Sequence, residues 1–404
     1  MSTSFDQILL KYLHQFVKYM RIQFLVVLYF LVSFSQAQTI LSSKAEVSII
    51  TCGPYQGELY SAFGHSAIRV FDPLQDFDIA YNYGVFDFNQ PNFYLNFTRG
   101  YLYYKLGVYS YPDFRDFYIS YNRYVHEQVL ELDSMQKQKV FSFLQNNALP
   151  QNHTYRYDYF YNNCASKVRD VFAEVFKDEI KFDGSFIKTN YTIRDLTEIY
   201  LKKQPWGELG IDICLGLPMD KKAAPYEYMF LPDYIESSFD HTTLNGSPII
   251  KEKIKVYEST RETTPLHWYH PWIVFGLLFL FAAILSYNDW QRNKLSKWFD
   301  VTLFSVTGLV GLLLLILWVA TDHKAAANNF NLLWAFPIHI VAAIQLLRRP
   351  EGKWLAAYFS FVIVLTATLI ACWAMIPQNM NPFLLPVVFV ILIRSIVVRK
   401  VIGN

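Results

Sequence analysis

The chain has 404 residues, of which 53% are hydrophobic and 18% aromatic, and its formal net charge at pH 7 is +2. This length allows two or three soluble domains, but long apolar runs dominate the chain after residue 270. The small net charge, with no basic cluster outside the loops between those runs, argues against a nucleic-acid-binding protein. We therefore expect a globular domain over residues 38–270, followed by a membrane domain over residues 271–404.

A secretory signal peptide is predicted at the N-terminus, over residues 1–37. Two basic residues precede the apolar run FLVVLYFLVSF (24–34), and small residues suited to cleavage after Ala37 follow it. Translation from Met20 would leave a basic segment of ordinary length. An uncleaved anchor helix is the alternative, and both interpretations export the domain that follows.

Alternating side chains predict three strands at the start of the exported domain, in AEVSIITCGP (45–54), SAIRVFDP (66–73) and FDIAYNYGVFDF (77–88). The aromatic stretch NFYLNFTRGYLYYKLGVYS fits both a helix and a strand. A further strand leads into a helix from about Ser134, and YRYDYFY forms an extended segment before a helix that runs through CASKVRDVFAEVF. Residues 190–240 are helical and irregular, with four prolines. The predicted fold class is therefore α+β, with a small antiparallel sheet.

Cys164 opens the helix in CASKVRDVFAEVF, a position that favours a reactive thiol. The dipole and the unsatisfied N–H groups of a first helical turn stabilise a thiolate, and the same groups could hold a developing oxyanion. His65, at the end of a neighbouring strand, could take the thiol proton. Asn82 on the next strand, or Asp78 as a second choice, could orient the imidazole. Taken singly, each residue also fits an ordinary structural role, so the prediction depends on their combination and order.

Four cysteines occur in the chain. Cys372 falls inside an apolar run and is expected to be a small apolar residue. In an exported domain, the other three could form one disulfide and leave one free thiol. Because Cys164 suits the reactive thiol, a bridge between Cys52 and Cys214 is the pairing that remains.

Five apolar runs approach the length that a helix needs to cross a membrane. The loops after the first and third runs carry six basic residues, whereas the other two loops carry only Lys324. By the positive-inside rule, the basic loops and the C-terminal tail are cytoplasmic, so an odd number of spans places the preceding domain outside. The predicted spans are about 271–287, 301–320, 330–347, 354–376 and 382–398.

Several of these segments together resemble one known family. FGHSAIRV, YNYGVFDF and FYNNCASKVRD resemble the exported domain of the Lnb family of lipoprotein N-acyltransferases, and DHKAAANNFNLLWAFP (322–337) resembles a segment of that family's membrane half. The resemblance covers nearly the whole mature chain. It implies a permuted papain-like fold similar to NlpC/P60-type peptidases, in which a strand histidine precedes a cysteine at a helix N-terminus. His65 and Cys164 have this order.

The resemblance also implies a reaction: an acyl chain would pass from a phospholipid to Cys164, with His65 as base and Asn82 in the third role. It would then pass to the N-terminal amine of a diacylglyceryl-cysteine lipoprotein. No cofactor and no metal are needed. The implied location is the bacterial inner membrane, with the exported domain in the periplasm and the C-terminus in the cytoplasm.

The membrane half contributes candidate lipid-binding residues. His323 lies at a span boundary, on the outer side in the predicted topology. Asn331, at the lip of an apolar helix, is costly unless it is hydrogen-bonded and therefore suggests a site. Trp334 also fits an interfacial aromatic belt, and His323 fits a simple loop residue. Together four residues are expected to line a lipid head-group pocket that faces the thiol: His323, Asn328, Asn331 and Trp334.

Three other functions fit parts of the pattern. An NlpC/P60-like envelope amidase or peptidase would use the same cysteine and histidine with water as acceptor, although five spans are then hard to justify. A membrane-anchored sensor or scaffold would need no reactive cysteine. A metal site built from His65, Cys164 and His126 is a distant third, since no metal-ligand spacing is present.

Overall fold

A computed structural model of the chain describes residues 13–14, 16–24, 39–260, 268–348 and 352–403. Most of the predicted signal-peptide run, with its cleavage site, lies outside the described residues. The chain divides into one unit over Met1–Ser42 and a second over Ser43–Asn404. Within the second unit we distinguish an α+β domain, up to residue 260, from a helical domain that begins at residue 268.

The α+β domain has ten strands and eight α-helices in its described residues. The strands are β1 (Glu46–Cys52), β2 (His65–Asp72), β3 (Phe77–Val85), β4 (Leu102–Ser110), β5 (Val125–Leu130), β6 (Thr154–Tyr157), β7 (Ile180–Lys181), β8 (Thr243–Leu244), β9 (Ser247–Pro248) and β10 (Ile250–Tyr257). The helices are α1 (Phe93–Arg99), α2 (Tyr111–Ser120), α3 (Ser134–Ala148), α4 (Cys164–Phe176), α5 (Ile193–Leu201), α6 (Pro205–Cys214), α7 (Pro225–Tyr228) and α8 (Pro232–Phe239).

Seven of the described strands form one antiparallel sheet, in the order β10-β5-β1-β2-β3-β4-β6. The predicted α+β class is therefore confirmed, but the sheet is larger than expected. The aromatic stretch that fitted both a helix and a strand forms one of each, α1 and β4, and residues 250–257 add β10 at the opposite edge. Strands β2 and β3 therefore lie near the middle of the sheet.

Helix α4 packs against β2 and β3. Its first residue, Cys164, lies close to Ser66 at the start of β2. The helix begins at Cys164, as the sequence predicts, because Asn163 and Ser166 form a capping box. The Asn163 side chain accepts from the Ser166 N–H at 2.9 Å, and the Ser166 hydroxyl accepts from the Asn163 N–H at 2.7 Å. Such caps satisfy N–H groups that a helix start leaves open.

The helical domain contains five α-helices in its described residues: α9 (Pro271–Arg292), α10 (Lys297–Val319), α11 (His339–Arg348), α12 (Lys353–Ala371) and α13 (Leu385–Gly403). Four segments among the described residues are long and apolar enough to cross a membrane: α9, α10, α12 and Pro382–Gly403, which includes α13. These four match the first, second, fourth and fifth predicted spans.

The predicted third span, 330–347, has another form. A 3₁₀ turn at Phe330–Leu333 and a break around Pro337 precede α11, which has ten residues and is too short to span a membrane alone. Gly311 of α10 makes room for this break, since an added Cβ there would lie 1.8 Å from the carbonyl oxygen of Ala335. The broken segment therefore packs against the middle of α10, and the count of five spans stays a prediction.

A buried ion-pair cluster holds three helices of the bundle together. Arg394 on α13 donates to Asp300 on α10 at 2.7 Å and to Asp289 on α9 at 2.8 Å. Paired charges of this kind are tolerated in an apolar bundle because each partner satisfies the other.

Candidate active site

The thiol of Cys164 lies where the first turn of α4 meets β2 and β3, and the residue is 9% exposed. Gly84 of β3 has φ +92°, and a Cβ added there would lie 3.4 Å from the Cβ of Cys164. Glycine thus suits both the backbone conformation and the close approach of the helix. The result is a narrow, largely dry position for the sulfur.

Three backbone N–H groups point to this sulfur. The capping box already uses the amides of Asn163 and Ser166, whereas the amides of Cys164 and Ala165 act on the sulfur and lower its pKa. The amide of Ser66 on β2 acts on it in the same way. The sulfur therefore lies beside the residue that follows His65. Amides arranged in this way can hold a thiolate or a developing oxyanion.

Burial nevertheless dominates the titration of both reactive groups. It raises the pKa of the Cys164 thiol above its ordinary value, despite the three amides. It also lowers the pKa of His65 to about 4, because a buried imidazolium is penalised. The effect of the three amides on the pKa of the thiol is therefore smaller than the effect of burial. At neutral pH the resting site holds a neutral thiol and a neutral imidazole.

His65 is oriented by Asn82. The Nε2 atom of His65 lies 2.6 Å from the Oδ1 atom of Asn82, and an amide oxygen can only accept a hydrogen bond. Nε2 therefore carries the proton of the neutral ring, and Nδ1 is left as the basic nitrogen. Asp78, the second choice for this role, instead binds the guanidinium of Arg69 at 2.7 Å. The ring of His65 also stacks on Tyr118, with centroids 5.8 Å apart.

Arg123 is a site residue that the sequence did not indicate. It is 6% exposed, its Nε donates to the carbonyl of Gly53 at 2.6 Å, and its guanidinium lies 4.5 Å from the ring centre of Tyr118. One of its terminal nitrogens is buried without a hydrogen-bond partner among the described residues. Burial is the larger effect on both reactive groups; the positive charge of Arg123 opposes the rise in the pKa of Cys164 and adds to the fall in the pKa of His65. An isolated arginine two residues before a strand has no motif that would have singled it out.

The predicted disulfide is not formed, since all four cysteines, which lie within the described residues, are free. Cys52 ends β1, opposite His65 in the β1–β2 pairing, and is fully buried. Cys214 ends α6 and packs against the core of the helical domain. The two residues therefore belong to different parts of the structure.

The four predicted lipid-binding residues mainly join the two domains. His323 Nε2 lies 3.0 Å from the carbonyl oxygen of Phe97. Asn331 is buried, donates to the carbonyl of Ile213 and accepts from the indole N–H of Trp334 at 2.9 Å. Asn328 is exposed, and its carbonyl accepts from the backbone of Leu217 in the α+β domain. Their role in binding lipid stays a prediction.

A buried polar network that the sequence did not suggest surrounds Asn331. Arg194 of α5 binds Asp220 through two hydrogen bonds of 2.9 and 3.0 Å and also contacts Asp212 of α6. Asp212 in turn accepts from Asn381 of the helical domain at 2.8 Å. Burying polar and charged groups costs free energy unless they form hydrogen bonds with one another. These hydrogen bonds form only when the two domains are docked in this position, so the network favours this docking over others.

His126 does not join the thiol and His65. Its Nδ1 lies 3.1 Å from a carboxylate oxygen of Glu236, and its ring stacks on Tyr124. Among the described residues, no three His, Cys, Asp or Glu side chains form a group that could hold a metal ion.

Two protein-family models match the chain in sequence. The model of the Lnb N-terminal periplasmic domain matches residues 34–198, and the model of the Lnb transmembrane domain matches residues 262–402. The first region contains Cys164, His65 and Asn82, and the second contains nearly the whole helical domain. No curated protein and no solved structure gives a significant match. The two family models confirm the resemblance that the sequence motifs indicated.

Proposed function

Since the chain belongs to the Lnb family, we propose that it is a membrane-bound thiol acyltransferase that acylates the N-terminal amine of diacylglyceryl-cysteine lipoproteins. The acyl donor is a phospholipid, and the chemistry takes place on Cys164. The observation that supports this mechanism most strongly is the 2.6 Å contact between His65 and Asn82, since the amide of the next residue, Ser66, acts on the sulfur of Cys164. In the proposed mechanism, His65 is a base of defined tautomer and Cys164 is the nucleophile that it activates.

In the first half-reaction, the sulfur of Cys164 attacks the ester carbonyl carbon of the phospholipid. The thiol proton passes to Nδ1 of His65, which is neutral and therefore able to accept it. The tetrahedral intermediate collapses, the carbon–oxygen ester bond breaks, and the lysophospholipid oxygen takes the proton back from His65. The product is a thioester on Cys164.

In the second half-reaction, the lipoprotein α-amine attacks the thioester carbonyl carbon. His65 accepts a proton from this nitrogen and returns it to the departing sulfur, which restores the free thiol. The balance is one ester bond exchanged for one amide bond, so neither an oxidant nor a metal takes part. Excluding water from the buried thiol keeps hydrolysis of the thioester slow relative to transfer.

Negative charge develops on the carbonyl oxygen in both steps. We propose that the amides of Ser66, Cys164 and Ala165, which act on the sulfur in the resting protein, donate to this oxygen when the sulfur is acylated. Arg123 adds a buried positive charge with a free N–H group. A nucleophile that is neutral at rest, as here, gains from these donors mainly in the transition state, which is where stabilisation raises the rate.

The proposed architecture follows from the same family assignment. The α+β domain is a permuted papain-like domain in the periplasm, and residues 1–37 export it as a signal peptide. The helical domain crosses the inner membrane five times, with the broken segment and α11 together forming the third crossing and the C-terminus in the cytoplasm. The cluster of four lipid-binding candidates, which starts at His323, lies at the outer boundary of the bilayer.

The test uses the full-length protein in nanodiscs that contain long-chain phosphatidylethanolamine. A synthetic diacylglyceryl-cysteine peptide serves as acceptor, and mass spectrometry follows the triacylated peptide and the acyl group on Cys164. We expect product with the wild type, trapped acyl-enzyme when the peptide is omitted, and neither with Cys164→Ser or His65→Ala.

A matched control is Cys372→Ser, which changes a free thiol in the helical domain and is expected to leave the activity intact. Transfer that persists in both Cys164→Ser and His65→Ala would refute the proposal. Release of free fatty acid or cleavage of a muropeptide, without any triacylated peptide, would identify a hydrolase instead.

A further inference from the structure

The acyl chain of a membrane lipid must reach a thiol that lies outside the bilayer. Six aromatic side chains form a continuous row from Cys164 toward the helical domain, and we call this row the aromatic strip. Its members, in order from the thiol, are Tyr157, Tyr104, Phe86, Phe88, Phe93 and Phe97.

The strip begins beside the thiol. At Gly84, the position of an added Cβ is 3.4 Å from the Cβ of Cys164 and 3.7 Å from the Cε2 atom of Tyr157, so both side chains border the same small space. The ring of Tyr157 stacks on Tyr104 with centroids 4.2 Å apart. These contacts give the approach to the sulfur an apolar wall.

The middle of the strip has no gap between neighbouring rings. The centroids of Tyr104 and Phe86 are 5.2 Å apart, those of Phe86 and Phe88 are 4.9 Å apart, and those of Phe88 and Phe93 are 5.0 Å apart. Each distance is in the range of direct aromatic contact. The only polar side-chain atoms in the strip are the hydroxyl groups of Tyr157 and Tyr104, so a flexible hydrocarbon chain that lies along it would contact mainly apolar rings.

The far end of the strip is fixed to the end of a membrane-spanning helix. Helix α1 carries the last two rings, and the carbonyl of Arg99 at its end accepts from the Asp322 N–H at 2.9 Å. The carbonyl of Phe97 also bonds with His323. Because α10 ends at Val319, three residues before Asp322, α1 lies beside the end of a helix that is long and apolar enough to cross a membrane.

Helix α1 exposes a surface that suits lipid rather than water. Tyr94 is 74% exposed and Phe97 40%, and Leu95 is also exposed; Phe88, which precedes the helix, is 57% exposed. Of the seven residues in α1, Phe93 alone is buried within the described structure. Clusters of exposed aromatic and aliphatic side chains mark contact sites, and aromatic residues are favoured at the boundary between hydrocarbon and water.

We infer that α1 rests in the outer surface of the bilayer and that the aromatic strip guides one acyl chain of a membrane phospholipid from there to Cys164. This inference rests on the proposed function, which supplies the reaction at the end of the strip. The occupant is a phospholipid chain because the strip is continuous with the boundary of a membrane-spanning helix and lined by apolar rings.

The first experiment compares two acyl donors in the full-length protein without lipoprotein. One donor is long-chain phosphatidylethanolamine in nanodiscs, and the other is p-nitrophenyl butyrate, a water-soluble short-chain ester. For Phe88→Ser and Phe97→Ser, we expect acylation of Cys164 by the bilayer lipid to slow about tenfold, as loss of apolar contact predicts, and acylation by the soluble ester to change less than about twofold.

A matched control is Leu74→Ser, which removes an exposed apolar side chain in the turn between β2 and β3. It should leave both rates unchanged. Equal rates for wild type, Phe88→Ser and Phe97→Ser with the bilayer lipid would overturn the inference while leaving the proposed function intact. A wild type in which neither donor acylates Cys164 would instead refute the proposed function.

The second experiment detects the lipid without relying on chemistry at the thiol. The Cys164→Ala protein is placed in nanodiscs with a phosphatidylethanolamine that carries a diazirine in one acyl chain, and the crosslinked peptides are mapped by mass spectrometry. We expect labels within residues 86–104 as well as in the membrane-spanning helices. Labels confined to the spans would refute the acyl path, whatever the first experiment shows.

Discussion

The burial of His65 makes a specific prediction about acid pH. An imidazole can accept the thiol proton only when it is neutral, and burial lowers the pKa of His65 to about 4. A lowered pKa means that the neutral form persists as the pH falls and is lost only near the lowered value. We therefore expect the rate of Cys164 acylation to fall with a midpoint at about pH 4.

The size of the effect distinguishes this site from an exposed histidine. At pH 5.5 a group with a pKa of about 4 is neutral in about 97% of molecules, whereas a group at the ordinary value of 6.5 is neutral in about 9%. The rate at pH 5.5 should therefore lie within about twofold of the rate at pH 7.5. An unperturbed histidine would instead give a drop of about tenfold.

The assay measures single-turnover acylation of the detergent-purified protein by p-nitrophenyl butyrate, which avoids pH effects on a bilayer. Samples held at each pH and returned to pH 7.5 should recover the full rate, which shows that the protein has stayed folded. A midpoint near 6.5 would refute the reasoning, since it would mean that the base is solvated or is a group other than His65. A rate that rises steeply with pH above 7 would mean that free thiolate, rather than the neutral pair, is the reactive form.

Other predictions concern neighbouring groups. Asn82→Ala removes the hydrogen bond that raises the pKa of His65 and orients its ring, so the rate should fall about 10²-fold at pH 7 in the single-turnover assay, and its acid midpoint should move lower. Arg123→Gln should reduce acylation about 10²-fold, as loss of one oxyanion donor does, and should raise the pH at which iodoacetamide alkylates Cys164; Arg123→Lys should keep the alkylation profile. Arg194→Met leaves two buried carboxylates without their partner and should destabilise the protein by about 3 kcal/mol, seen as a lower melting temperature in detergent. The denatured, unreduced protein should bind four equivalents of maleimide, and a count of two would contradict the absence of a disulfide.

Local sequence patterns determined the positions of several helices and strands and the order of the candidate site residues. The start of α4 at Cys164 is encoded within four residues, because the Asn163 and Ser166 side chains cap the helix from inside the same segment. The strand that begins at His65 shows alternating side chains, and four of the five predicted spans are continuous apolar helices. The order of His65 before Cys164 was also evident from the sequence. The sequence predicted Asn82 as the residue that orients His65, and the two side chains are hydrogen-bonded in the structure.

Contacts between distant segments decided the rest. The neutral state of the thiol and imidazole follows from burial between α4 and the sheet, which outweighs the helix dipole that the sequence suggested. Arg123 became a site residue only because the fold places it against Tyr118, and Asn331 found its partners 118 residues away in α6. The third apolar run is interrupted by a 3₁₀ turn and by Pro337, and the side chain of Asn331 within that turn bonds to the α+β domain. Burial and long-range pairing depend on the whole fold, so neither has a signature in a short stretch of sequence.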